Sequence, residues 1–306
     1  MEGTETRLEA PDAPPEAPPR QTTPFLVLQF FIFPMAIVAV CVTVFVVFGL
    51  IASEGKGARA YLDEVRTGSA NRRWQAAFEL SKVLQARKDR ALADPAFADE
   101  LVRAFDGAST DDPRVRRYLA LALGRLGDAR AVPSLTQAAD PRGDATADPD
   151  TQVYAVWALG TIGDPRAVPV LVTLSRSEDA GLRKAAVHAL GSFPGEASRA
   201  ALTAALDDRV EDVRWNAAVA LARRRDPAAA PVLLQMLDRQ HLAHVPDLDA
   251  EQREEAVLQA VAAAAVVPDP RLRAVLERAR DSDPSLKVRE AAGAALEGRE
   301  RRDGAP

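Results

Sequence analysis

The chain has 306 residues, with 39 Lys and Arg against 44 Asp and Glu, and its formal net charge of -5 supplies no positive field to collect nucleic acid. Its one cysteine, Cys41, rules out an intrachain disulfide framework and a cysteine-based zinc site. Aromatic residues make up only 5% while Ala and Leu abound, a composition that suits closely packed helices better than sheets.

Residues 1–24, MEGTETRLEAPDAPPEAPPRQTTP, are rich in Pro, Ala and Glu and too poor in apolar surface to offset the entropy of ordering, so a disordered tail is expected. Residues 25–52, FLVLQFFIFPMAIVAVCVTVFVVFGLIA, contain no charge over 28 positions, more than the roughly 20 needed to cross a bilayer core. This run predicts a single transmembrane helix, tilted or kinked at Pro34, with Gln29 and Thr43 near an interface or bonded to backbone. A cleavable signal peptide fits less well, because an acidic tail precedes the run and the run is too long for an h-region. Lys56, Arg59, Arg66 and Arg72 follow the run and only Arg7 and Arg20 precede it, which predicts the N-terminus outside and the rest of the chain cytoplasmic. Residues 53–67 read as a juxtamembrane linker in which Tyr61, Leu62 and Val65 share one face of a short helix that rests on the bilayer or on the first repeat.

From residue 68 to 298 one pattern recurs: NRRWQAAFEL, VRRYLALALG, TQVYAVWALG, LRKAAVHALG, VRWNAAVALA and VREAAGAALE. Aligned on Leu80, Leu123, Leu159, Leu190, Leu221 and Leu296, the copies place small or apolar residues three and four positions earlier, one helical stripe. A second signature follows several copies: GDARAVPSLTQAAD, GDPRAVPVLVTLSRS and the looser RDPAAAPVLLQMLDR. Gly then Asp ends one helix and caps the next, and the proline sits near the second helix's start, where its missing N–H costs little. The aligned leucines 159, 190 and 221 are 31 residues apart, a period that fits a helical solenoid. One helix pair cannot bury its own apolar face, so the pairs must stack and their surface becomes a long platform for binding. Residues 299–306 read as a charged tail after an end cap.

The phrases DDPRVRRYLALALGRLGDARAVPSL and DPDTQVYAVWALGTIGDPRAVPVLVTL resemble HEAT repeats, specifically the HEAT-like repeats of the phycobilisome-lyase type. The resemblance implies an all-α fold, an α-solenoid of about six stacked helix pairs, here following a transmembrane helix. It weakens towards both ends: EEAVLQAVAAAAVVPDPRLRAVLERA lacks the Leu-Gly ending and reads as a helix pair from periodicity alone.

Seven places before the aligned leucine stand Arg73, Arg116, Arg183, Arg214 and Arg289, with Gln152 in the remaining clear copy, and acids such as Asp112, Asp179, Asp212 and Asp283 precede most of them. The resemblance implies that Asp and Arg of neighbouring repeats bond across the stack, so these arginines are assigned to a structural ladder rather than to ligand binding. Tyr118, Tyr154, Trp157, His188 and Asn216 face away from the leucine stripe, with Lys184 and Trp215 at the edge, and are candidate partner-binding residues. Phe78 and Trp74 belong to the same aromatic set.

The chemistry of an enzyme is sparse. The three histidines are His188, His241 and His244, and the last two sit near Asp247 and Asp249 in an insertion that reads as a polar loop rather than a metal site. Neither a phosphate-cradling GxxxxGK[ST] motif nor a GxSxG turn occurs, and Arg142-Gly143-Asp144 reads as chance. No catalytic residue, metal or cofactor is expected. The expected function is a membrane-anchored scaffold or adaptor for protein partners; the alternative is a repeat-based enzyme or cofactor-lyase accessory protein. Nucleic acid is not an expected partner, because residues 53–306 carry 37 basic against 39 acidic residues.

Overall fold

A computed structural model describes residues 33–52, 56–86, 91, 94–140, 142, 148–246 and 248–303. The chain divides into two units, Met1–Gly55 and Lys56–Pro306. In the first, helix α1 runs over Phe33–Ala52. Phe33, Met35, Ile37, Val38, Val40, Val42, Val44 and Phe45 on it are exposed, and Thr43 bonds to backbone as expected, its hydroxyl donating to the Ala39 carbonyl at 2.7 Å. The transmembrane helix expected over 25–52 falls partly on residues 25–32, which lie outside the described residues, as does the expected disordered tail 1–24. Among the described residues, no helix is long and apolar enough to cross a membrane.

The second unit is a two-layer stack. One layer contains α3 (Ala70–Gln85), α5 (Pro113–Leu126), α7 (Pro149–Ile162), α9 (Ala180–Leu190), α11 (Glu211–Arg223), α14 (Ala250–Ala264) and α16 (Leu286–Asp303), each packed on the next. The other contains α2 (Ala58–Thr67), α4 (Pro95–Gly107), α6 (Val132–Ala139), α8 (Val168–Leu174), α10 (Glu196–Ala205), α12 (Ala230–Met236) and α15 (Pro270–Ser282). A short α13 (Arg239–Ala243) interrupts the last full repeat. Among the described residues there is no strand. The aligned leucines 80, 123, 159, 190 and 221 are fully buried between the layers, and Leu296 nearly so.

Two features of the repeat follow from geometry. First, the glycine after the aligned leucine faces the next helix of the same layer: a Cβ added at Gly160 would lie 2.7 Å from Ala189 Cβ, and one at Gly124 would lie 2.8 Å from Ala158 Cα. Only hydrogen fits there, so the Leu-Gly ending is a close-packing signature. Second, Gly127 and Gly163 end α5 and α7 at φ 76° and 73°, the left-handed conformation. Asp128 and Asp164 then cap the 3₁₀ turns Ala129–Ala131 and Pro165–Ala167 by accepting from the Arg130 and Arg166 backbone N–H groups.

Two expected boundaries move. Within the expected linker, residues 58–67 form α2, which buries Ala58, Leu62 and Val65 against α3, because these three lie four and three residues apart on one face. The tail expected from residue 299 is helical to Asp303, and Arg299 donates to the Ala264 and Val267 carbonyls at 2.7 and 2.9 Å, closing the C-terminal end of α14.

Candidate protein-binding groove

A groove of about 1240 Å³ opens between α9, α11 and α14. Four of the seven residues singled out from the sequence line it: Lys184 and His188 on α9, and Trp215 and Asn216 on α11. Lys184 pairs with Asp212, and the Asn216 amide donates to the Asp212 carbonyl at 2.7 Å, so both side chains are held in place. Trp215 is only 8% exposed, and its indole N–H has no acceptor among the described residues. Val219, Ala220, Ala263 and Val266 supply apolar surface.

The other three lie elsewhere. The Tyr118 ring meets Phe78 edge to face at 5.1 Å between centroids, Tyr154 is half-buried, and Trp157, although 38% exposed, lies against the bare backbone of Gly124. Trp74 is covered by the Arg114 guanidinium, 4.6 Å from its ring centre.

The arginines seven places before each leucine turn inward. Arg73 donates to the Val65 carbonyl at 2.7 Å and to the Asp111 carboxylate at 2.6 Å. Arg183, 5% exposed, grips Asp208 at 2.8 Å and the Ser177 and Glu178 carbonyls at 2.9 Å. Arg214 and Arg289 each donate at 2.6 Å to a carbonyl six residues back, of Asp208 and Asp283. Arg116 lies over the Phe105 ring at 5.1 Å.

Several polar groups were not singled out from the sequence. A recurring Asp-x-Arg pair ties the turns: Arg130 donates to Asp128, to Asp99 and to the Pro95 carbonyl, and Arg166 to Asp164 and the Ala129 carbonyl. The hydrogen bond from Arg166 holds the Asp164 carboxyl down to about 2. Arg224 caps the end of α9 through the Leu190 and Phe193 carbonyls, and burial lowers its pKa. Arg223, Arg225, Glu251 and Glu255 line the groove and are exposed. Their one sequence signal is Arg225, which stands where two sister repeats have Gly127 and Gly163.

Among the described residues no group of three or more His, Cys, Asp and Glu is placed to hold a metal. His244 Nδ1 is 2.7 Å from the Gln240 carbonyl, Asp249 caps α14 in a capping box with Gln252, and Asp247 lies outside the described residues.

The fold is thus an all-helical repeat solenoid. Residues 143–213 match HEAT repeats, and residues 115–141 and 213–239 each match the PBS lyase HEAT-like repeat. No curated protein sequence matches the chain. The chain is similar in fold to the complex of CpcE and CpcF of phycocyanin lyase from Nostoc sp. PCC7120, at 20% identity and a TM-score of 0.50, covering 80% of this chain and 97% of that one. It is also similar to the archaeal HEAT-like repeats protein from Thermococcus onnurineus NA1, at 12% identity, a TM-score of 0.44 and coverage of 81% and 99%. A designed armadillo repeat protein in complex with the peptide (KR)4 matches at 18% identity, a TM-score of 0.43 and coverage of 78% and 98%.

Proposed function

We propose that this chain is a membrane-anchored scaffold that gathers protein partners in the groove between α9, α11 and α14. The observation that carries the reading is the groove itself, which joins a nearly buried tryptophan, an apolar floor and exposed charges of both signs over about 1240 Å³. Such a mixture suits a protein surface better than a small substrate, which needs an enclosed pocket with a few converging polar groups. Anchoring is supported by the charge-free sequence from 25 to 52 and by the exposed apolar side chains of α1. The flanking Lys and Arg favour an outside N-terminus and a cytoplasmic solenoid. Tethering raises the effective concentration of partners at the membrane, so modest affinity suffices. No cofactor, metal or nucleic acid enters this reading.

The test has two arms. The full-length chain is recovered from fractionated cells with and without alkaline carbonate, and residence in the carbonate-resistant membrane fraction is expected; release into the soluble fraction would remove the anchor. Proteins crosslinked to a photoreactive residue placed at Asn216 are then identified beside the same label at Glu196. One partner specific to Asn216, in stoichiometric amount, is expected, whereas bound pigment or metal without a protein partner would favour the cofactor-lyase alternative.

A further inference from the structure

Of the three sister turns, Gly127 and Gly163 adopt φ 76° and 73°, and Arg225 holds the same place at φ 56°. It is the single non-glycine residue with positive φ among the described residues, in a conformation that L side chains rarely adopt. The fold makes no use of its side chain: Arg225 is exposed, and its guanidinium has no partner among the described residues, whereas Arg224 beside it caps α9. A strained residue standing where glycine would serve points to function. Arg223 is likewise exposed and has no partner among the described residues, and both line the groove at the end of α11. Glu251 and Glu255 lie on the first half of α14, so the groove is bipolar, with its free positive charge where α11 ends.

Resting on the protein-binding reading above, we propose that the groove takes a partner segment whose acidic side chains cluster at one end, where Arg223 and Arg225 hold them. Charge complementarity selects this occupant. Two guanidinium forks stand without counter-ions among the described residues and match carboxylates in geometry, while Glu251 and Glu255 repel acids placed along the rest of the segment. Val219 and Val266 receive an apolar residue beside the acidic end.

The test measures fluorescence anisotropy of short, C-terminally amidated peptides that carry a leucine beside a cluster of Glu, Gln or Lys. Each is titrated with the full-length chain as wild type, Arg223→Gln and Arg225→Gly. The Glu peptide is expected to bind roughly tenfold tighter than the Gln peptide, with the margin shrinking as salt rises. Arg225→Gly should remove most of that margin while its melting temperature stays level or rises, a combination that a merely structural arginine would not give. Equal affinity for all three peptides, or unchanged Glu binding in both variants, overturns the acidic-segment assignment and leaves the groove a binding surface. Binding of none of the peptides, with a concentration-dependent dimer lost in Arg225→Gly, overturns it in favour of a second copy. Binding of none without such a dimer overturns it together with the groove reading.

Discussion

The joints from α7 to α9 and from α11 to α14 derive from one repeat pattern yet close differently. At the first, Leu159 is followed by Gly160, whose backbone meets Ala189 so closely that a single added carbon would overlap it. At the second, Leu221 is followed by Ala222, α13 is inserted before the next helix of the same layer, and the groove opens. The turn changes too, from Gly163 to Arg225. The same stretch of chain has thus exchanged both glycines of the repeat, and the joint without them is the one that opens into the groove, with Arg223 and Arg225 exposed on its lining. Close packing and binding surface are alternatives at a given joint of the stack.

Breaking a tight joint should have the largest effect. Arg183 sits 5% exposed between α9 and the turn before α11 and satisfies Asp208 together with two carbonyls. Arg183→Ala leaves the Asp208 carboxylate largely buried without its cation, which is expected to cost about 3 kcal/mol in urea unfolding. A loss within a few tenths of a kcal/mol would mean that the ladder is ornamental. Next comes Gly160→Val, which forces α9 away from α7 and should cost about 2 kcal/mol. The matching change at the open joint, Ala222→Gly, removes no clash and should cost about 1 kcal/mol through helix propensity alone. Equal costs at the two joints would erase the distinction between them.

Much of this contrast is visible in the sequence. The leucine stripe at 80, 123, 159, 190, 221 and 296 gives the layer that holds α3, α5, α7, α9, α11 and α16, and Gly-Asp at 127–128 and 163–164 gives the turns, because both arise from contacts within one repeat. The closeness of Gly160 to Ala189 and the opening between α11 and α14 involve residues of different repeats, and periodicity does not say how far apart successive copies stand. For that reason Lys184, His188, Trp215 and Asn216 converge on a groove while Tyr118, Tyr154 and Trp157, at related positions, do not. Residues 58–67 show a related limit: Leu62 and Val65 form an apolar face in the sequence, but nothing local says whether lipid or α3 covers it.

Arg225 sharpens the comparison from the stability side. A non-glycine residue in the left-handed region carries roughly 1 kcal/mol of strain. Arg225→Gly is therefore expected to raise stability by about 1 kcal/mol, less the small entropic cost of a freer unfolded chain. The reverse change at the tight joint, Gly163→Arg, should lower it by a similar amount. A melting-temperature rise in the first and a fall in the second would locate the strain in the turn; a fall in both would mean that the Arg225 side chain supports the fold.

The smallest effect concerns the turn acids, which both kinds of joint retain. Hydrogen bonds from Arg166 hold Asp164 down to about 2, those from Arg130 depress Asp128, and that from Arg199 depresses Asp226. An unfolded aspartate titrates near about 3.9. A carboxyl whose folded value is depressed contributes stability that is fully present above its unfolded value and is lost as pH falls through the folded one. Stability should therefore decline between about pH 4 and pH 2, and Asp164→Asn should flatten that decline. The Asp164 and Arg166 pair is open to water, so the difference should shrink as salt is added. Asp226, 8% exposed, is less screened, so the effect of Asp226→Asn on the acid limb should persist in high salt where that of Asp164→Asn fades. If the two variants respond alike to salt, the open joint is no better shielded at its turn than the tight one, and the opening is confined to the groove between α11 and α14.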